Sequence, residues 1–235
     1  MPFNFQTFKT RALTALLFVA VMLVGLLWNF WSFVVLFTVI HFGCWYEFVK
    51  LLKKINKDKY LFYCFGGLVY ITVPVLAIIY LRTIGMIYKD GCLLDDVGYI
   101  IPLGIIFSIW INDTMAYLVG SFIGRTPLSK ISPKKTWEGT IGGVVLCVIV
   151  IGFLYPLVVS AATGINIGSS QWFVIPALCA IFGTIGDLFE SKLKRMAEVK
   201  DSGSFMPGHG GFLDRFDSLL FAVPAVWVYV YFFLE

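Results

Sequence analysis

Residues 139–160, GTIGGVVLCVIVIGFLYPLVVS, form a long run without a charged residue. A helix needs about 20 apolar residues to cross the hydrocarbon core of a bilayer, so this run is typical of a transmembrane helix. Six other predominantly apolar windows lie at 12–28, 30–49, 60–81, 98–121, 172–190 and 215–234. The whole chain is 59% hydrophobic and only 14% charged, whereas soluble domains average about 25% charged residues. The sequence therefore predicts an all-α, polytopic membrane helix bundle of about seven transmembrane helices.

The basic residues indicate how these spans are oriented, because Lys and Arg concentrate in cytoplasmic loops. If the N-terminus is cytosolic and seven spans alternate, all but two of the 18 Lys and Arg residues, Arg82 and Lys89, are cytosolic. We therefore expect a cytosolic N-terminus and a polar cleft facing the cytosol. Basic loops also attract anionic lipid headgroups, which is our interpretation of the loop at 50–59. We expect a bacterial cytoplasmic membrane, with the endoplasmic reticulum as the alternative that the sequence leaves open.

Acidic residues occur within or at the ends of the predicted spans, where charge is costly and often functional. Asp113 lies within the 98–121 window, Asp187 ends the sixth span, and Asp214 and Asp217 open the seventh. Carboxylates beside many cations suit a divalent metal that bridges anionic phosphates. The alternatives are an inter-helix hydrogen bond for Asp113 and structural salt bridges, especially for Glu190 and Asp217.

A glycine-rich segment, KDSGSFMPGHGG at 200–211, connects the last two spans. Glycine lets backbone amides approach a ligand closely, and successive amides can bind anions. A lone histidine such as His209 is more often a packed or capping residue than a catalyst, so these residues do not assign it proton transfer.

From Ser191 to Asp217 the chain reads SKLKRMAEVKDSGSFMPGHGGFLDRFD, which closely resembles the signature of the phosphatidate cytidylyltransferase family, also called CDP-diacylglycerol synthases. Every fixed position of that signature is met, and Met206 stands where Leu, Ile or Phe is usual. The segment NDTMAYLVGSFIGRTPLSKISPKKTWEG, at 112–139, resembles a second landmark of the family. The resemblance is weak over the first hundred residues.

This resemblance implies that the cytidylyl group of CTP is transferred to phosphatidic acid in the bilayer, giving CDP-diacylglycerol and pyrophosphate, with Mg²⁺ as cofactor. It implies no nucleic-acid partner and is compatible with a homodimer. The implied catalytic residues are Asp187, Asp214, Lys194, Arg195, Lys200 and Arg215. The implied metal ligands are Asp187, Asp214 and Asp217. The implied substrate-binding residues are Asp113, Lys134, Lys135, Ser191, Asp201, His209, Gly210 and Gly211.

We expect two regions along the chain, namely N-terminal membrane helices over 1–97 and a catalytic membrane region over 98–235. Two other functions compete with the implied one. The first is a CTP-dependent cytidylyltransferase or kinase that acts on another lipid, such as an isoprenoid. The second is an ion-coupled transporter, although such proteins often have paired halves with interrupted helices and the sequence has no such symmetry. Alcohol transfer onto CDP-lipids would require a D-G-x-x-A-R pattern that we do not find.

Overall fold

The computed structural model describes the backbone at residues 5–84, 86–89, 92–164, 170–205 and 210–233. Side chains are described at 13–84, 97–164, 170–205 and 210–233. His209, one of the predicted substrate-binding residues, lies outside the described residues. The elements, in chain order, are α1 (Phe5–Leu27), α2 (Phe30–Ile55), α3 (Tyr60–Gly67), a π-helical segment (Leu68–Thr72), α4 (Val73–Thr83), β1 (Met86–Lys89), β2 (Cys92–Asp96), α5 (Ile100–Ile123), α6 (Trp137–Thr163), α7 (Gln171–Met196) and α8 (Leu213–Phe233).

Six helical segments within the described part of the chain are long and apolar enough to cross a membrane. They are α2, the continuous run Tyr60–Thr83, α5, α6, α7 and α8. Many of their large apolar side chains are exposed, such as Phe122 at 83%, which is expected where lipid is the solvent. The predicted helical membrane fold is confirmed, and the chain is an integral membrane protein. In α1 the side chains are described only from Leu13 to Leu27, an apolar stretch, and the first of the seven predicted spans stays a prediction.

The connection between α1 and α2 is tight, as a single residue between the predicted windows 12–28 and 30–49 indicates. Asn29 caps α2, because its side-chain oxygen accepts a hydrogen bond from Ser32 N at 2.8 Å. The Ser32 hydroxyl in turn accepts a hydrogen bond from Asn29 N at 3.1 Å. This reciprocal capping box satisfies backbone donors that a helix start leaves unpaired. A two-residue connection of this kind makes α1 and α2 a helical hairpin, and the two helices are in contact.

The chain divides into two compact units. The first unit contains Met1–Val75 and Leu193–Phe216, and the second contains Leu76–Lys192 and Asp217–Glu235. The strands β1 and β2 pair in antiparallel fashion within the second unit, an addition to the helical fold that hydropathy did not predict. The predicted division of the chain at residue 97 into a membrane region and a catalytic region stays a prediction.

Close packing of α5 against α6 orders the basic loop between them in the second unit. A Cβ atom added to Gly143 would lie 2.7 Å from the Ala116 Cβ, and one added to Gly139 would lie 2.7 Å from the Ala116 carbonyl oxygen. Small residues four apart allow helix backbones to approach closely in membranes. The loop at 124–136 is therefore anchored by a tight helix pair at both of its ends.

Candidate active site

In the first unit, the carboxylate of Asp214 in the first turn of α8 has four polar contacts. Its Oδ1 accepts a hydrogen bond from Lys194 Nζ at 2.7 Å. Its Oδ2 accepts hydrogen bonds from Ser202 N at 2.8 Å and Gly211 N at 2.9 Å, and lies 2.8 Å from the Ser202 hydroxyl. The Asp214 side chain is 7% exposed and that of Lys194 14%. The signature segment therefore folds into a buried lysine–carboxylate pair with a fixed orientation.

A second carboxylate of the first unit, Glu47 on α2, contacts the same segment. It accepts hydrogen bonds from the Ser202 hydroxyl at 2.7 Å, Phe212 N at 3.0 Å and Leu213 N at 2.9 Å. The two amides belong to the start of α8, where backbone donors have no partner within the helix and where negative charge is favourable. Glu47 is only 4% exposed, so it is a buried cap for α8.

The described glycines of the 200–211 segment, Gly203, Gly210 and Gly211, lie against these carboxylates. Gly211 N donates to Asp214, and a Cβ atom at Gly211 would collide with both carboxylate oxygens of Glu47. Gly210 has φ of 85°, a left-handed conformation that side-chain-bearing residues rarely adopt. The close approach of backbone amides to an anion, which the sequence predicts, is therefore realised with the protein's own carboxylates.

Two cavities of the first unit adjoin this segment. One, of about 340 Å³, is apolar and is lined by residues of α1, α2 and the start of α8, including Phe18 and Phe216. The other, of about 330 Å³, is lined by polar groups that include Glu47 and Lys50, together with Gly203 and Ser204. Both cavities have Phe205 and Phe212 in their linings. The apolar cavity is therefore next to a polar cavity whose lining includes Lys50.

In the second unit, Asp187 near the end of α7 pairs with Lys135 of the 124–136 loop. Lys135 Nζ lies 2.6 Å from Asp187 Oδ2, and the two side chains are 33% and 26% exposed. The contact is ionic and lacks the angles of a hydrogen bond. This pair is therefore more exposed and less constrained than the Lys194–Asp214 pair.

Glu138, in the first turn of α6, holds the loop that carries Lys135. Its carboxylate accepts hydrogen bonds from Arg125 N at 3.2 Å, from Thr126 N at 3.1 Å and from the Thr126 hydroxyl at 2.8 Å. Thr136 caps α6 through a hydrogen bond from Gly139 N at 3.1 Å. These contacts fix both ends of the loop, so the position of Lys135 is defined by its backbone.

Several acidic side chains of the second unit lie near Asp217. The carboxylates of Asp187, Glu190 and Asp113 all act electrostatically on Asp217. Asp217 is 7% exposed and its Oδ1 accepts a hydrogen bond from Ser218 N at 2.7 Å. Such an accumulation of negative charge favours cationic partners. Nevertheless, the described residues contain no group of three acidic, histidine or cysteine side chains arranged to hold a metal ion.

A protein-family model described as "Cytidylyltransferase family" matches residues 76–233. The chain belongs to the cytidylyltransferase family. Phosphatidate cytidylyltransferase of Thermotoga maritima is 46% identical over 135 residues, covering 57% of this chain and 50% of the relative. Phosphatidate cytidylyltransferase of Bacillus subtilis is 34% identical over 197 residues, covering 72% and 71%. That of Synechocystis is 43% identical over 140 residues, covering 57% and 44%. The chain spans about half the length of several of the curated relatives it matches.

The predicted site residues differ in their burial and in their partners. Lys194, Asp214 and Gly211 come together in the first unit, and Lys135 and Asp187 in the second. Ser191 and Gly210 are partly buried. The exposed residues are Asp113, Lys134, Arg195, Lys200, Asp201 and Arg215. The catalytic, substrate-binding and metal-binding roles of all these residues stay predictions.

Glu47 was not predicted as a site residue, although the sequence carries a signal for it. Glu47 is an acid within the apolar window 30–49, and acids within spans are usually functional. It also lies outside the region that the cytidylyltransferase model matches. Lys50 belongs to the loop that was interpreted as attracting lipid headgroups, whereas the structure places it in the lining of the polar cavity.

Proposed function

We propose that this chain transfers the cytidylyl group of CTP to phosphatidic acid, giving CDP-diacylglycerol and pyrophosphate. The geometric observation that carries the proposal is the buried Lys194–Asp214 pair, held by the amides of Ser202 and Gly211. The cytidylyltransferase family model matches residues 76–233, which contain this pair, and relatives named phosphatidate cytidylyltransferase match more than half of the chain. The adjoining apolar and polar cavities of the first unit also suit an amphipathic lipid phosphate.

The reaction needs charge neutralisation and alignment more than proton transfer. A phosphate oxygen of phosphatidic acid attacks the α-phosphorus of CTP, a new P–O bond forms, and the bond to the β-phosphate breaks as pyrophosphate leaves. Both substrates are polyanions, so positioned cations supply most of the stabilisation. Lys135 and Lys194 are held beside carboxylates that they can leave to bind phosphate oxygens. Arg195, Lys200 and Arg215 are exposed, and we propose that they also bind phosphate oxygens.

Magnesium is the proposed cofactor, because carboxylate oxygens are the ligands that Mg²⁺ prefers. Asp214 offers them in the first unit, and Asp187 and Asp217 offer them in the second. A Mg²⁺ ion held by such a carboxylate would neutralise phosphate charge as a Lewis acid. Asp187 and Asp214 each have a lysine within 2.7 Å, so metal binding is expected to release these two ammonium groups.

The reaction is tested by pyrophosphate release from the purified protein in mixed micelles that contain CTP, phosphatidic acid and Mg²⁺. We expect release only when all three components are present, and a large loss in Asp214→Asn. Turnover with another lipid phosphate, and none with phosphatidic acid, would keep the chemistry and reject the proposed substrate. Absence of turnover with every lipid phosphate from folded protein would reject the proposed function.

We further propose that the protein lies in a bacterial cytoplasmic membrane with its N-terminus and active site in the cytosol. The distribution of Lys and Arg supports this orientation, and several of the relatives are bacterial. The test uses a variant in which all five cysteines are replaced. In that background, the cysteine of Lys57→Cys should react with a membrane-impermeant thiol reagent from the cytosolic side, and that of Ser170→Cys from the opposite side.

A homodimer stays a prediction, which cross-linking in membranes would test. No nucleic-acid partner is proposed.

A further inference from the structure

The buried carboxylate of Glu47 accepts all three of its described hydrogen bonds from one segment, residues 202–213. Burial of a carboxylate is costly unless hydrogen bonds compensate for the lost water. Here the compensating donors are the Ser202 hydroxyl and the amides of Phe212 and Leu213. Glu47 on α2 and the signature segment therefore stabilise each other's positions, although 155 residues separate Glu47 from Ser202.

Ser202 connects Glu47 to Asp214. Its hydroxyl oxygen lies 2.7 Å from Glu47 Oε2 and 2.8 Å from Asp214 Oδ2. A serine hydroxyl carries one hydrogen, so it donates to one of the two carboxylates at a time. The Ser202 amide donates to Asp214 as well, and Leu213, whose amide binds Glu47, directly precedes Asp214. Glu47 therefore holds two segments next to the Asp214 carboxylate, namely Ser202, which donates to it, and the start of α8, which carries it.

The surroundings of Glu47 fit a carboxylate closely. A Cβ atom at Gly203 or Gly211 would collide with the Glu47 carboxylate, so both positions need glycine while Glu47 occupies its place. A glutamine side chain of the same shape has one acceptor oxygen and one NH₂ group. Since Phe212 N donates to one oxygen of Glu47 and Leu213 N to the other, either orientation of glutamine sets an NH₂ group against a backbone N–H.

We infer that Glu47 is a positioning residue of the active site, which acts through Ser202 and the start of α8 to hold the Asp214 carboxylate in its reactive orientation. The inference rests on the proposed cytidylyl transfer for its catalytic consequence. Glu47→Gln is expected to lower kcat by about 10- to 100-fold, the usual effect of losing a residue that orients an active-site group. The KM for CTP is expected to change little.

The decisive experiment combines hydrogen exchange with a double-mutant cycle. In Glu47→Gln, amide exchange should become faster in residues 202–213 and stay unchanged in α5 and α6. Ser202→Ala, which removes only the bridging hydroxyl, should give a smaller change in the same residues. Phe33→Leu, a buried change on the same helix, is the control for general destabilisation and should leave exchange in 202–213 unaltered.

Because Glu47 acts through Asp214, the activity losses of Glu47→Gln and Asp214→Asn should be strongly non-additive. A purely structural role predicts additive losses, and such a result would overturn the inference, as would unchanged exchange in 202–213. If the wild-type chain has no activity on phosphatidic acid, the proposed function fails, and the exchange measurement still decides whether Glu47 holds this segment.

Discussion

Replacing Lys194 by methionine removes the ammonium group of the buried pair while keeping a side chain of similar length. The partner carboxylate of Asp214 is then left charged with its side chain 7% exposed. Removal of one partner of a buried ion pair typically costs 3–5 kcal/mol. Asp214 Oδ2 keeps its contacts with Ser202 and Gly211, so we expect the lower end, a destabilisation of about 3 kcal/mol.

The matched variant is Lys135→Met, which breaks the other lysine–aspartate pair. The side chains of Lys135 and Asp187 are 33% and 26% exposed, and exposed pairs contribute up to about 1 kcal/mol. For a chain of this size, 1 kcal/mol corresponds to a change in Tm of about 2–4 °C. We therefore expect Lys194→Met to lower Tm by about 6–12 °C and Lys135→Met by at most about 4 °C.

The assay is thermal unfolding in detergent micelles, followed by the fluorescence of the seven tryptophans. The double variant Lys194→Met/Asp214→Asn removes both charges and should be more stable than Lys194→Met alone, because no uncompensated charge stays buried. Equal Tm changes for Lys194→Met and Lys135→Met would refute the reasoning, as would a double variant no more stable than Lys194→Met.

Three further predictions concern activity and loop structure. Lys135→Gln should lower kcat/KM by at least about tenfold, because a positioned charge typically stabilises the transition state by at least that factor. Its Tm should stay within about 4 °C of the wild type, and an unchanged kcat/KM would contradict the proposed role of Lys135. Glu138→Ala removes the acceptor for Arg125 N and Thr126 N, so amide exchange at 125–136 should increase while that at 202–213 does not. Lys50→Gln should raise the KM for phosphatidic acid several-fold, whereas Lys57→Gln, in the exposed loop after α2, should not; equal effects would remove Lys50 from the substrate site.

Much of the helical fold could be predicted from the sequence because lipid imposes a simple rule. A span must be apolar over about 20 residues, and the windows from 30–49 to 215–234 satisfy it without reference to any contact. The turn at Asn29 was also predictable, since its side chain caps the next helix locally. The hairpin of β1 and β2 was not predicted, because it is short and lies between apolar windows where hydropathy carries little information.

The contacts of the site were less predictable, because they join residues that are distant in sequence. The family resemblance implied a catalytic and metal-binding role for Asp214, but it could not indicate Lys194 as the hydrogen-bond donor to Oδ1. Glu47 shows the same difficulty, since only the fold brings α2 to the start of α8 within the first unit. The glycines of 200–211 were interpreted as ligand-binding, whereas Gly211 donates to Asp214 and lies against Glu47.

The two lysine–aspartate pairs suggest how an active site for polyanions can be stable before its substrates arrive. Uncompensated carboxylates near a membrane would repel each other, and uncompensated ammonium groups would be costly to bury. In each unit a lysine and an aspartate remove this cost for each other. Under the proposed function, each lysine would turn to a phosphate group when substrate binds, and the aspartate that it leaves would be free to hold a cation, so the charge of each pair would stay balanced. The more exposed Lys135–Asp187 pair requires less energy to open, and we therefore expect it to exchange partners before the buried Lys194–Asp214 pair does.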